Sequence, residues 1–261
     1  METPERPRVV VSIQPVRDLV SRIAGEDLDT VLVLRPGREA HTFSPSPRDV
    51  ARLEGAALSI AVGLGLDDWS TRAAEQASDT PPHTLRLGPA LDPVAGDPHL
   101  WLDPERMARA AELIAVALSE VLPERAPDLS DRAVALAGSL RELDREIALR
   151  SRSWPRRALV TAHPFLSYYA ERYDLEIVGV IETEPGRGLT PGTRGRLLDS
   201  IRQREVAAIV AQAEDDVSMA RSVSEEVDVP LCVLHPLGRA EGESYETTLR
   251  ALTDTLEGAL R

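Results

Sequence analysis

The chain has 261 residues, of which 43% are hydrophobic and 28% are charged, a balance typical of a globular protein with one large domain or two lobes. Its net charge of -13 excludes nucleic acid and anionic membrane surfaces as main partners, because both require basic stripes. No stretch approaches the ~20 apolar residues of a membrane span, so we expect a protein that does not itself cross a membrane. The single cysteine, Cys232, allows neither an internal disulfide nor a thiolate metal cluster.

The first part of the chain alternates short apolar runs with helical patterns. Three apolar runs predict buried strands, at residues 8–13, 29–34 and 57–62. A helix follows the first run, because Val16, Leu19 and Ile23 recur at helical spacing. Ser46-Pro47-Arg48-Asp49 predicts another helix start, with a capping serine and a proline at the first helical position. Residues 78–98 are rich in proline and turn residues, and we expect mostly loop there.

Two long helical patterns then interrupt the alternation. Asp103-Pro104 begins a helix that runs to Val121, and a longer pattern from Leu129 to Arg150 follows. The longer pattern places a set of apolar side chains on one side, namely Val134, Leu140, Leu143 and Ile147. Alternation restarts with four apolar runs that predict strands, at 158–161, 176–181, 207–211 and 231–234. The helix after the first of these is expected at residues 164–173.

The predicted fold is α/β, with two lobes that each contain a parallel sheet flanked by helices. We place an N-terminal lobe at residues 1–125, a connector helix at 126–154 and a C-terminal lobe at 155–261. The connector pattern contains one glycine, Gly138, which favours a long rigid helix and limited motion of the lobes. We predict the ligand site in the cleft between the lobes, because ligands favour domain interfaces and the carboxyl ends of parallel strands.

Four of the five histidines lie where predicted strands or turns end and helices begin, namely His41, His99, His163 and His235. Two of them fall in each predicted lobe. Neutral imidazole suits zinc and other late first-row metals, so the joint placement predicts one tetrahedral metal site. Each histidine taken alone is more typical of a capping or surface residue, and no HExxH or paired CxxC spacing is present. His83 lies in a proline-rich loop and is predicted to be exposed.

Other motifs in the sequence give weaker evidence for a functional site than the histidines do. Gly63-Leu64-Gly65 lacks the third glycine of a dinucleotide fingerprint, and the glycine-rich stretch at 186–195 has no lysine for a P-loop. We interpret the acidic run Glu214-Asp215-Asp216 as a solvated helix start rather than a calcium site. Asp97 and Asp103 are assigned to turn formation and to helix capping.

Several segments resemble the extracytoplasmic solute-binding proteins of zinc and manganese ABC transporters, the cluster A-I family. They cover nearly the whole chain and comprise Val10–Pro15, Arg35–Pro47, Gly63–Trp69, Asp97–Pro104, His235–Gly238 and Gly242–Tyr245. The sequence DPHLWLDP at Asp97–Pro104 is nearly the DPHxWLDP signature of that family and is the most specific of the set. The resemblance implies two α/β lobes joined by a long rigid helix, with a metal between them that is delivered to a membrane permease.

The resemblance also assigns roles to the histidines. It places His41, His99 and His163 on three ligand positions, and His235 on a fourth that is usually aspartate. Histidine there makes the donor set all-nitrogen and neutral, which favours Zn²⁺ over Mn²⁺ because carboxylate oxygen suits manganese better. The histidine-rich loop of many zinc-binding members is missing. Residues 210–213, with the sequence VAQA, stand where many members have TEPQ.

We therefore predict a high-affinity zinc-binding protein, monomeric and not an enzyme, that delivers its metal to an ABC transporter permease. A periplasmic or extracytoplasmic location is expected, with an export signal removed ahead of Met1. Two alternatives stay open. One is a zinc-dependent hydrolase with three histidine ligands and a metal-bound water, in which Glu214 or Glu184 acts as base. The other is a cytosolic zinc chaperone or sensor of the same fold.

Overall fold

The computed structural model describes residues 6–94, 97–182 and 189–261. The chain forms two compact units. The first comprises Met1–Pro93, Pro104–Leu143 and Leu237–Tyr245, and the second comprises Val94–Asp103, Asp144–Pro236 and Glu246–Arg261. Within the described part of the chain, no helix has both the length and the apolar character that a membrane span requires.

The first unit contains a four-stranded parallel sheet with the spatial order β2-β1-β3-β4. Its strands are β1 (Arg8–Val11), β2 (Asp29–Leu32), β3 (Ala56–Ala61) and β4 (His83–Arg86). The helices of this unit are α1 (Gln14–Ala24), α2 (Pro47–Ala51), α3 (Asp68–Gln76) and α4 (Pro104–Val121). Val9, Val10 and Val11 are fully buried, as expected for a central strand of a parallel sheet covered on both faces.

The predicted start of α2 is confirmed. The Ser46 hydroxyl accepts a hydrogen bond from the Asp49 amide at 3.3 Å, and the Asp49 carboxylate accepts one from the Ser46 amide at 3.0 Å. This reciprocal cap satisfies two backbone donors that the first turn of a helix leaves without partners. The chain after β2 thereby enters α2 in a defined direction.

The second unit contains another four-stranded parallel sheet, with the order β6-β5-β7-β8. Its strands are β5 (Ala158–Thr161), β6 (Glu176–Val180), β7 (Ala208–Gln212) and β8 (Leu231–Leu234). The remaining helices are α6 (Ser167–Tyr173), α7 (Pro191–Gln203), α8 (Ser218–Val227) and α9 (Tyr245–Leu260). Because the strands are parallel, the segments that follow β5, β7 and β8 all leave from the same edge of the sheet.

The long helix α5 (Ala126–Ser151) has 26 residues and passes from the first unit into the second. Its buried side carries Leu129, Leu136, Leu140, Leu143 and Ile147. The prediction for Val134 is wrong, since its side chain is 64% exposed. It lies six positions before Leu140, which at 3.6 residues per turn rotates its side chain by about 120° from that of Leu140 and away from the buried side of the helix. The predicted fold class, two parallel α/β sheets and a long helix between them, is confirmed.

Candidate metal centre

His99 and His163 meet within the second unit. Their ring centroids lie 5.4 Å apart, and one ligand nitrogen of each ring lies within 4.8 Å of the other. His99 is 2% exposed, whereas His163 is half-buried. His99 precedes a short 3-10 turn at Leu100–Leu102, and His163 follows β5. The structure thus brings together two histidines that are 64 positions apart in the sequence.

Asp97 holds the His99 ring in place. Its Oδ1 accepts hydrogen bonds from the His99 amide at 2.8 Å and from the ring Nδ1 at 2.7 Å. Its Oδ2 accepts from the Ser167 amide at 3.0 Å, and its carbonyl accepts from the Tyr168 hydroxyl at 3.0 Å. A carboxylate on Nδ1 keeps the proton there and leaves the Nε2 lone pair as the donor to a metal. Asp97 therefore orients the His99 ring, in addition to the turn role predicted for it.

The helix α6 begins three residues later than predicted, at Ser167 instead of 164. The Asp97 carboxylate binds the amide of Ser167, the first residue of that helix, so Asp97 stabilises the start at this position. The preceding residues therefore stay outside the helix. They include Phe165, whose ring lies 5.1 Å from that of His163 and 6.2 Å from that of His99.

The electrostatics favour a neutral His99 and an ionised Asp97. Burial lowers the pKa of His99 and outweighs the opposing effects of the hydrogen bond and the charge of Asp97. Burial raises the pKa of Asp97, but the hydrogen bonds and the charge of His99 outweigh it, so this pKa lies below its usual value. Neutral imidazole is the form that binds metal, so His99 is in its metal-binding form at neutral pH.

His163 is held by two side chains near the end of β7. Its Nδ1 lies 2.8 Å from Oδ2 of Asp215, and its Nε2 lies 2.9 Å from Nε2 of Gln212. Neither of these partners is predicted from the sequence. The available signal was their position directly at and after β7, because β7 is the neighbour of β5 in the sheet. That adjacency belongs to the topology and cannot be deduced from the sequence of either strand.

His235 follows β8 and lies near a buried carboxylate. Its Nδ1 is 3.8 Å from Oε1 of Glu214, and the Glu214 side chain is only 4% exposed. Oε2 of Glu214 has no hydrogen-bond partner among the described residues, and burial raises the pKa of this carboxyl to about 7. The prediction of a solvated acidic run is therefore wrong for Glu214. The amide of Ala213 still bonds to the Leu234 carbonyl at 2.8 Å, which keeps the chain beside β8 past the end of β7.

His41 belongs to the first unit and its side chain is exposed. Its loop is nevertheless well anchored. The Glu39 carboxylate accepts hydrogen bonds from the amides of His41 at 2.5 Å and Thr42 at 2.6 Å. The indole of Trp69 donates to the Ala40 carbonyl at 2.9 Å. These contacts fix the backbone from which the imidazole of His41 projects.

His83 is exposed, as predicted, and begins β4. Its Nδ1 lies 3.4 Å from Oε2 of Glu120, a surface contact of two exposed side chains. Glu184, one of the two bases considered for a hydrolase, lies outside the described residues. His83 offers a matched control for substitutions at the other histidines.

Neighbouring imidazoles that are each anchored by a carboxylate, beside a parallel α/β sheet, are typical of a metal-binding protein. Residues 9–259 match the family described as "ZnuA: Zinc-uptake complex component A periplasmic", and the chain belongs to this family. It is 27% identical to the manganese-binding lipoprotein MntA of Halalkalibacterium halodurans over 250 residues. The aligned region covers 92% of this chain and 83% of MntA. It is 26% identical to the iron-binding protein YfeA of Yersinia pestis over 234 residues. That aligned region covers 86% of this chain and 75% of YfeA.

The fold of the chain is also that of a solved member of the family. The crystal structure of ZnuA matches it with a TM-score of 0.89 at 21% sequence identity, over 98% of this chain and 100% of that chain. The chain is therefore a metal-binding solute-binding protein of an ABC-type metal uptake system. Members of the family are transport proteins, not enzymes, so the hydrolase alternative is wrong. The names of the relatives include more than one metal, so the family alone leaves the metal open.

Proposed function

We propose that the protein captures Zn²⁺ with the imidazoles of four histidines and delivers it to the permease of an ABC transporter. The proposed ligands are His41, His99, His163 and His235. The observation that carries the proposal is the pair His99 and His163, whose Nδ1 atoms lie 2.7 Å and 2.8 Å from the carboxylates of Asp97 and Asp215. Each carboxylate orients a ring and leaves its Nε2 as the metal donor.

His41 and His235 complete the proposed tetrahedral shell. Both fall on ligand positions of the family by sequence resemblance. His235 also follows β8, at the same carboxyl edge of the sheet from which His163 follows β5. Zinc at the centre of four imidazoles takes nitrogen donors at about 2.0–2.1 Å. A closed shell of this kind has no open position for a reactive water, which fits transport and not hydrolysis.

The proposed preference for zinc over manganese rests on the chemistry of the donors. Four neutral nitrogen donors suit Zn²⁺, whereas Mn²⁺ is bound best by carboxylate and other oxygen donors. The fourth position is histidine in this chain, where relatives usually have aspartate. MntA is named for manganese, and YfeA is named for iron. The metal therefore has to be determined on this protein.

The proposed location is extracytoplasmic, with the permease and the metal ion as partners and a monomer as the working state. MntA is described as a lipoprotein and the family as periplasmic, which supports this location. The cytosolic zinc chaperone is the competing alternative. Fractionation of the native host with an antibody against this protein separates the two, since a chaperone would stay with the cytosolic fraction.

The test is a competitive titration of the purified metal-free protein with zinc and with manganese against a chelator of known affinity. We expect one zinc per chain and much weaker manganese binding. His163→Ala should lower zinc affinity by roughly 100-fold or more, because it removes a donor and not only a group that orients one. His83→Ala, at the exposed start of β4, is the control and should bind zinc like the wild type. Equal affinities of the two variants would refute the site.

A further inference from the structure

We infer that Trp101 sets the spacing between the chain segments that carry His99 and His235, and so prepares two of the proposed ligands before zinc arrives. The inference rests on the proposed function, because it requires both histidines to be ligands. The indole Nε1 of Trp101 donates a hydrogen bond to the carbonyl of Pro236 at 3.0 Å. Pro236 directly follows His235, and Trp101 lies two positions after His99. One hydrogen bond within the second unit thus joins residues that are 135 positions apart in the chain.

On the His99 side, the connection is short and stiff. His99 directly precedes the 3-10 turn at Leu100–Leu102, in which Trp101 is the middle residue. The amide of Leu102 donates to the carbonyl of His99 at 3.1 Å, which closes the turn. The Trp101 ring also lies beside the imidazole, with ring centroids 5.0 Å apart. The indole therefore cannot shift without disturbing His99.

On the His235 side, the hydrogen bond completes a pair of backbone anchors. The carbonyl of Leu234, the last residue of β8, accepts a hydrogen bond from the Ala213 amide at 2.8 Å, and Trp101 holds the carbonyl of Pro236. His235 therefore lies between two held carbonyls. A proline also fixes its own φ and restricts the residue before it to extended conformations. The His235 side chain is 37% exposed, so its position depends on these anchors more than on packing.

The indole hydrogen bond is shielded from water. Trp101 is 1% exposed, and a buried N–H without its acceptor carries a desolvation cost, so the folded chain keeps this bond. Donors that are already held at a fixed spacing lose less conformational entropy when an ion binds. The net contribution typical of one hydrogen bond corresponds to zinc binding that is about 2- to 10-fold tighter. Trp101 is thus a positioning residue, which acts on the metal through His235.

The experiment is a double-mutant cycle of Trp101→Phe and His235→Ala, with zinc affinity measured by competition against a chelator. Trp101→Phe should weaken zinc binding by about 2- to 10-fold in the otherwise wild-type protein, and should have no further effect when His235→Ala is present. Equal weakening by Trp101→Phe in both backgrounds, or none in either, would overturn the inference.

Trp154→Phe is the matched control. The Trp154 indole is also buried in the second unit, and it donates to Oε1 of Glu257 at 3.2 Å. Trp154→Phe therefore removes a comparable hydrogen bond away from the proposed ligands and should bind zinc like the wild type. If it weakens zinc binding as much as Trp101→Phe does, the effect is one of general stability, and the inference is wrong.

A second variant keeps the test decisive if Trp101→Phe does not fold. Benzothienylalanine in place of Trp101 keeps the shape of the indole and has sulfur where the indole has its N–H, so it removes only the donor. This variant should show the same weakening of zinc binding by about 2- to 10-fold. Wild-type zinc affinity in this variant would contradict the inference.

Hydrogen exchange tests whether the spacing is set before the metal binds. The indole N–H of Trp101 should exchange slowly with solvent deuterium in metal-free protein, and equally slowly after zinc is added. Protection that appears only with zinc would refute a preset spacing. If His235→Ala lowers zinc affinity while both Trp101 variants bind like the wild type, only the inference fails. If His235→Ala binds zinc like the wild type, the proposed four-histidine shell fails, and the inference fails with it.

Discussion

The buried carboxyl of Glu214 gives a quantitative prediction for the stability of the metal-free protein. Burial raises its pKa from 4.5 to about 7, and its side chain is 4% exposed with Oε2 unpartnered among the described residues. Between these two pKa values the folded chain binds a proton that the unfolded chain has lost. Stability therefore falls as pH rises through this window, and the loss is complete above pH 7. Glu214→Gln should remove this loss.

The magnitude follows from proton linkage. A pKa of about 7 in the folded state and 4.5 in the unfolded state corresponds to ~3 kcal/mol at pH 8 and ~1.4 kcal/mol at pH 5.5. The stabilising effect of Glu214→Gln should therefore be larger at pH 8 than at pH 5.5 by about 2 kcal/mol. The comparison of two pH values cancels any constant cost of a buried amide at this position, because that cost does not depend on pH.

The assay is urea unfolding of metal-free protein with a chelator present, at pH 5.5 and at pH 8. Glu225→Gln changes an exposed glutamate on α8 and is the control, for which we expect no such difference between the two pH values. An effect of Glu214→Gln on the free energy of unfolding that is the same at both pH values would refute this prediction. A second result would also refute the prediction: a wild type with the same stability at pH 5.5 and pH 8, together with a Glu214→Gln variant that is less stable at pH 8 than at pH 5.5.

Three further predictions concern the metal site. Asp97→Asn should lower zinc affinity by roughly 10- to 100-fold in a titration, because the carboxylate that orients His99 is lost. His235→Asp should reduce the preference for zinc over manganese measured by competition, because a carboxylate oxygen replaces an imidazole nitrogen. Trp69→Phe should weaken zinc binding by about 2- to 10-fold, because it removes the hydrogen bond that fixes Ala40 beside His41.

Each of these predictions has a result that contradicts it. Wild-type zinc affinity in Asp97→Asn would show that orientation of His99 by the carboxylate is unimportant. An unchanged metal preference in His235→Asp would remove His235 from the donor set. If Trp69→Phe binds zinc like the wild type while it is less stable to heat, the indole serves only the packing of the first unit.

Much of the fold could be predicted because its determinants are local. The apolar runs Arg8–Val11 and Leu231–Leu234 are strands as predicted, and parallel strands place the residues that follow them at one edge of a sheet. For Val134 the apolar character alone predicts burial, but its helical angle turns the side chain away from the buried side of α5. The division at residues 125 and 155 and the rigidity of the connector stay predictions.

The groups around the histidines were harder to predict, because they depend on which strands become neighbours. Gln212 and Asp215 contact His163 only because β7 lies beside β5 in the sheet. Glu214 is buried because the chain stays paired with β8 after β7 ends. In the sequence these residues form an ordinary polar segment between a strand and a helix, which is usually solvated. Topology, not composition, turns this segment into part of the site.

The most direct test of the account is a crystal structure of the zinc-loaded protein, with the metal located by anomalous scattering at the zinc absorption edge. We expect one strong peak per chain, about 2.0–2.1 Å from Nε2 of His41, His99, His163 and His235. A peak bound elsewhere on the chain, or one without Nε2 of both His99 and His163 in contact, would contradict the account.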